Sequence, residues 1–360
     1  MAIDLNADSN ITQLTLTILL LSIAFGQLIA GPLSDRLGRK PLFLGGAVAY
    51  CAAGFGAALS HTIEVIIFFR VIQGFGAAAA VAMSRSIVVD FYGRDQAAGV
   101  MSTIIAMMAI IPVFGTALGG VLTDFVGWQG SFWMLAMTGL ILTYFVNAGI
   151  QETHSPEHVF TFKDALAGYA KLLSTAKFLS SALTTAFQTA VFFAMMGFIG
   201  YSFERMEISA KEFGVWMATT SVGYILGNLA NKRLLKHYRI DLITSVGAAA
   251  SLASLIVMEI WHINSPSSPI GLAVPMIFVG LSNGVIIANS IIVASSAIPR
   301  LRGSATGLVG AMQMGAGGVS GTIAIWLGAD QNTSVGIITL IVISFFSLIS
   351  AWWSTRLQRI

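Results

Sequence analysis

Apolar stretches of about 20 residues, nearly free of charge, follow one another along this chain, and each is long enough for a helix to cross the roughly 30 Å hydrocarbon core of a bilayer. Eleven can be delimited: Leu14–Leu33, Leu42–Leu59, Ile63–Met83, Met101–Leu122, Phe132–Ile150, Phe178–Tyr201, Phe213–Ala230, Ile243–Trp261, Leu272–Ala297, Thr306–Leu327 and Val335–Trp353. Barrel strands would be about ten residues long and alternate in polarity, so the spans are predicted to be helices in an all-α membrane protein.

Composition narrows the choice. Only 10% of residues are charged and 56% are apolar, where soluble domains carry about 25% charged residues. That charge is too sparse for a disordered chain or a nucleic-acid binder, and the single Cys51 cannot build a disulfide scaffold. The formal net charge of +3 says less than its distribution. Of 19 Lys and Arg residues, Arg205 and Lys211 fall on one side of the spans, Arg70 lies within a span, and the rest fall on the other side. Positive loops face the cytoplasm, so the chain is expected to sit in the inner (plasma) membrane with its N-terminus outside and its C-terminus cytoplasmic. Met1–Asn10 carries Asp4 and Asp8 without a basic residue, the reverse of a signal peptide.

The longest polar interruption, residues 151–177, separates an N-terminal half (1–150, five spans) from a C-terminal half (178–360, six spans). It holds an amphipathic stretch, Phe162–Leu173, expected to lie on the cytoplasmic face. His154 and His158 stand four apart there, but Pro156 between them argues for a solvated loop and against a metal site. The halves share a signature: Gly31-Pro-Leu33-Ser-Asp35-Arg36 after the first span matches Gly227-Asn-Leu229-Ala-Asn231-Lys232 after the seventh. Parallel repeats of this kind build transporters with the site between them. A full span, Phe178–Tyr201, precedes the helix of the second copy and none precedes that of the first, so the symmetry predicts two six-helix repeats with the first helix absent.

Three motifs carry a family resemblance. Gly31-Pro-Leu-Ser-Asp35-Arg36-Leu-Gly38-Arg39-Lys40-Pro41 resembles, at every defining position, the G-x-L-a-D-R-x-G-R-K turn of the major facilitator superfamily. Arg70-Val-Ile-Gln73-Gly74-Phe-Gly76 is similar to the R-x-x-Q-G-x-G motif of that family's fourth helix. Pro112-Val-Phe-Gly115-Thr116-Ala-Leu-Gly119-Gly120 resembles the antiporter motif of its fifth helix, with Thr116 where a proline is usual. The nearest likeness is to drug:proton antiporters of the bicyclomycin-resistance type. It implies a major facilitator fold and a cytoplasmic latch of Gly31, Asp35, Arg36, Gly38, Arg39 and Asp90, with Asp35 accepting from the start of the helix near Ser304 and Arg39 paired to Asp90. Physically, Gly31 and Gly38 permit close helix contact and a tight turn, and the alternative to a latch is that these charges only orient the loop.

Arg70 costs about 2.5–3.5 kcal/mol inside a span on insertion scales. The resemblance gives it a part in proton coupling, with Gln73 one turn along; the alternative is a side chain snorkelling to the headgroups. A proton-coupled carrier needs a titratable acid near the midplane, and the spans supply none. Candidates for a substrate cavity are Met107, Gln188, Phe192, Asn283, Asn289 and Gln313, because amides in hydrocarbon want a partner or water and thioethers and aromatics suit varied amphipathic ligands. No H-E-x-x-H, P-loop lysine, G-x-S-x-G or cluster of His, Cys and acids occurs, so no enzyme, metal or cofactor is expected. The reading is a secondary active carrier, a monomer in the bilayer, exporting amphipathic small molecules against protons by alternating access. A metabolite facilitator or importer of the same fold, or a non-transporting truncated membrane protein, are the alternatives.

Overall fold

The computed structural model describes residues 4–153 and 162–357 apart from residue 6; the side chains of residues 9, 35, 89, 93–114, 116, 117, 162, 210 and 300 also lie outside that description. The His154–His158 spacing falls outside the described residues. Within them the chain is helical: α1 (Ser9–Leu37), α2 (Arg39–Ala58), α3 (Ile63–Val126), α4 (Gln129–Gly149), the short α5 (Phe162–Leu173), then α6 (Ala176–Arg205), α7 (Ala210–Leu234), α8 (Ile240–Asn264), α9 (Pro269–Ser295), α10 (Arg302–Trp326) and α11 (Thr333–Leu357). Nine stretches among the described residues are long and apolar enough to cross a membrane. α7 has the length, but Lys211, Glu212, Lys232 and Arg233 at its ends lower its apolarity.

Two expected spans, 63–83 and 101–122, are joined in α3, whose 64 residues would measure about 96 Å if straight. It is not straight. Ile66 near its start packs in one core cluster with Trp128 just beyond its end, and the Arg70 guanidinium lies 4.5 Å over the ring of Phe132 in α4. The chain therefore doubles back within α3. Residues 84–100 contain no proline to interrupt the helical pattern, and the two passes are separated in sequence by the charged run Asp90-Phe-Tyr-Gly93-Arg94-Asp95.

Packing runs along defined seams: α1 against α3 and α10, α2 against α3 and α4, α3 against α7, α7 against α9, α6 against α10 and α11, and α8 against α9 and α11. The α7–α9 seam is the tightest kind available to two backbones. A Cβ added at Gly223 or Gly227 would overlap the carbonyl oxygens of Ile277 or Leu281, and one at Gly280 or Gly284 those of Thr220 or Tyr224. Small residues four apart on both helices allow this approach, which dispersion rewards where no hydrophobic force separates helix from lipid. At the end of the bundle where α6 and α10 finish, Met195, Phe198, Phe203, Met258, Leu272, Met276 and Ile337 form the largest buried cluster.

Candidate functional site

The turn between α1 and α2 is built on Gly38, which takes φ +91°, a conformation that favours glycine. The space a Cβ would occupy there is filled by the Glu152 carboxylate. Glu152 Oε1 accepts from the Arg39 backbone N–H at 3.0 Å and Oε2 from that of Lys40 at 3.2 Å. A carboxylate from the segment after α4 thus caps the first turn of α2, where no acid stands in sequence, satisfying orphan donors and complementing the helix dipole. Glu152 was not among the residues the sequence singled out, because only the fold brings it to position 39.

Arg39 Nε lies 3.2 Å from Asp90 Oδ2 of α3 and its guanidinium also donates to the Ser34 hydroxyl; the Thr153 hydroxyl donates to Asp90 at 3.3 Å, and Lys40 Nζ to the Asn147 carbonyl at 3.1 Å. The cluster therefore joins the end of α1, the start of α2, the middle of α3 and the end of α4. The Asp35 side chain lies outside the described residues, and Arg36 is exposed. Among the described residues nothing lies within 4 Å of a Cβ placed on Gly31, so they show no close helix contact there; the tight turn falls at Gly38.

In α3, Arg70 Nη1 donates to Gln73 Oε1 at 2.8 Å. With the ring of Phe132 beneath its guanidinium, the charge is engaged within the bundle by an amide and a π face. Its Nε has no partner among the described residues.

The amides proposed for a cavity are held between helices of the second half. Gln188 is fully buried and donates to Ser251 of α8 at 2.7 Å. Asn289 exchanges two hydrogen bonds with Asn231, both 2.9 Å. Gln313 Nε2 donates to Thr185 at 3.0 Å and Thr189 at 3.1 Å. Asn283 is buried with its Oδ1 unpartnered among the described residues. Phe192 packs at the edge of the large apolar cluster, edge-on to Phe193. Gln188, Gln313, Thr185 and Thr189 are thus grouped around α6, Asn289 lies on the α7–α9 seam, and the Met107 side chain is outside the description.

The seam between α1 and α10 carries polar contacts that sequence patterning did not flag. The Thr17 and Thr322 hydroxyls are 2.6 Å apart, and Thr17 also lies 3.0 Å from the Gly318 carbonyl. Gln13 fills the space beside Gly321, and Gln27 that beside Gly310. A run of glycines on α10 therefore receives the polar side chains of α1 along its length. Glycines read as packing residues in any membrane helix, so only the neighbour reveals what they pack against.

Comparison with known proteins agrees with this architecture. The profile of the Major Facilitator Superfamily matches residues 1–321. The chain is 30% identical over 324 residues to a chloramphenicol resistance protein of Pseudomonas aeruginosa, covering 88% of this chain and 74% of that one. It is 26% identical over 331 residues to a bicyclomycin resistance protein homolog of Haemophilus influenzae, covering 89% and 81%. Among solved structures it resembles a D-xylose-proton symporter (TM-score 0.77, 13% identity, 96% and 87% covered) and the nucleoside transporter NupG (TM-score 0.72, 16% identity, 99% and 92% covered).

Proposed function

We propose that this chain, which belongs to the Major Facilitator Superfamily, exports amphipathic small molecules in exchange for protons. Membership makes it a multi-pass membrane transporter with the helical fold of that family. The observation that carries the export reading is the likeness, over nearly the whole chain, to proteins named for resistance to chloramphenicol and bicyclomycin. The sugar and nucleoside transporters share only the fold at their identities, so they do not favour uptake.

In this reading residues 1–150 and 178–360 are two halves that rock against each other along the α1–α10 and α3–α7 seams, joined by the 151–177 linker. The protein works as a monomer in the plasma membrane with its C-terminus cytoplasmic, an orientation supported by the bias of Lys and Arg. The Gly31–Arg39 turn and Asp90 form the cytoplasmic latch, Arg70 and Gln73 take part in coupling, and Gln188, Phe192, Asn283, Asn289, Gln313 and Met107 border the substrate path. The paired Arg39 and Asp90 support the latch, since the ion pair fixes the turn in one arrangement.

The test is expression in a bacterium stripped of its own efflux pumps. The protein should raise tolerance to chloramphenicol or bicyclomycin, and in everted vesicles addition of the drug should dissipate a preformed pH gradient. Asp35→Asn should abolish both without lowering membrane abundance; retained transport by that variant would remove the latch. Drug accumulation unaffected by the wild-type protein, with uptake of a metabolite instead, would replace export by facilitated entry.

A further inference from the structure

Between residues 232 and 239, where α7 gives way to α8, the chain places Lys232, Arg233, Lys236 and Arg239, all exposed. The last turn of α11 lies against the same point. The Thr355 hydroxyl is 2.7 Å from that of Ser245 and 3.3 Å from the Asp241 carbonyl oxygen, which sets Arg356 beside the first turn of α8. The Arg356 guanidinium rests 3.6 Å over the indole of Trp352.

The one acid between residues 228 and 258 is Asp241, and it is occupied. Its side chain is 3% exposed, and both oxygens accept from Arg239, at 3.1 Å each. Asp241 therefore holds Arg239 in place and leaves the other cations unopposed. Among the described residues none forms an ion pair with Lys232, Arg233, Lys236 or Arg356, whereas Arg39 and Lys40 of the α1–α2 turn are tied to Asp90 and Asn147. Immediately along the membrane from this corner, Leu242 and Val246 of α8 and Ile349 and Trp352 of α11 are exposed, and Tyr238 and Trp353 add the aromatic residues favoured at headgroup depth.

We propose that this corner is a binding site for an anionic phospholipid, its phosphate received by Lys236 and Arg356 and its acyl chains laid along α8 and α11. The Arg356 guanidinium suits a phosphodiester because it offers paired donors in a plane, and stacking on Trp352 orients it. A zwitterionic lipid brings a choline or amine that these cations repel. The site rests on the membrane fold and not on what the carrier exports.

The experiment is native mass spectrometry of the purified protein titrated with phosphatidylglycerol or phosphatidylcholine of the same acyl chains. The wild type should retain phosphatidylglycerol with a preference of about 30-fold, the scale expected from two cations near a phosphate. In Lys236→Gln/Arg356→Gln that preference should fall to parity, while Lys163→Gln/Lys171→Gln, which removes the same charge from α5, should keep it. Equal loss in both pairs would mean a general charge effect and overturn the site, as would an unchanged preference in the first pair. Should that pair fail to fold, Lys236→Gln alone alters one exposed side chain and should lower the preference by part of that amount; an unchanged preference would overturn the site.

Discussion

The phenol of Tyr169 donates a hydrogen bond to the carbonyl oxygen of Leu28 at 3.1 Å, and Pro32 is the reason that oxygen is available. In α1 the Leu28 carbonyl would ordinarily accept from the N–H of residue 32, and proline has none. The linker helix α5 supplies the missing donor. On its other side, Leu172 of α5 is buried with Phe178, Ala294, Ala305 and Leu308 of the second half. α5 thus bridges α1 to the C-terminal helices through one polar and one apolar contact. Tyr169→Phe should lower stability by about 1 kcal/mol, the net worth of one hydrogen bond. In a Pro32→Ala background, where residue 32 regains its N–H, the same substitution should cost almost nothing. Equilibrium unfolding of the four proteins gives the coupling directly, and additive effects would dissolve the pairing.

Tyr169 also has a pH signature. Burial raises its pKa above the ordinary tyrosine value, so the folded state favours the neutral phenol that donates. The sign follows from proton counting: at a pH between the two values the unfolded chain has lost a proton the folded chain retains. The contribution is present at neutral pH and declines only above about pH 10. Wild-type unfolding should show that alkaline decline, and Tyr169→Phe should make it shallower.

Glu152 is expected to matter more than its position after α4 suggests. Glu152→Ala removes the acceptor for the Arg39 and Lys40 N–H groups and should destabilise by about 1–2 kcal/mol, the usual range for a lost helix cap. Glu152→Gln keeps one acceptor and loses the charge, so it should fall between. Thermal unfolding in detergent orders the three proteins; an unaltered alanine variant would show that water replaces the carboxylate.

The two copies of the repeated turn make a sharper comparison. Gly31 and Gly227 occupy the same place in the repeat, yet among the described residues a Cβ meets nothing within 4 Å at Gly31 and the Leu281 carbonyl at Gly227. Gly31→Ala should fold with near wild-type stability. Gly227→Ala should separate α7 from α9 and cost about 1–3 kcal/mol, as overpacking does. A fluorescent size-exclusion melting curve for each suffices, and equal effects would contradict the difference in packing.

These cases mark how far the sequence could be read. Membrane class, helix type and the basic turn were legible because apolar run length and charge placement are local properties that the bilayer imposes directly. The repeat aligns Asn231 with Asp35, and Asn289, read as a cavity amide, is the hydrogen-bond partner of Asn231 across the α7–α9 seam. Glu152, Thr17 and Tyr169 were passed over since nothing near them in sequence is unusual. Their roles come from backbone groups left open by Gly38, Pro32 and the glycines of α10, and such vacancies acquire meaning only when a second helix arrives.

Thr17 and Thr322 offer the most direct check on motion between the halves. Their hydroxyls meet at 2.6 Å, so cysteines at the two positions have side chains in contact, as a disulfide requires. The single native Cys51 is buried, and Cys51→Ala provides a clean background. In that background Thr17→Cys/Thr322→Cys should cross-link on mild oxidation, seen as a shift in gel mobility after cleavage between the halves. If α1 and α10 must part here for substrate to pass, the oxidised protein should lose transport and regain it with reductant, while each single cysteine variant is indifferent to both treatments. Full activity in the cross-linked form would show that this end of the seam stays shut throughout the cycle. The moving contact would then have to lie toward Gln27 and Gly310, where α1 meets α10 nearer the basic turn.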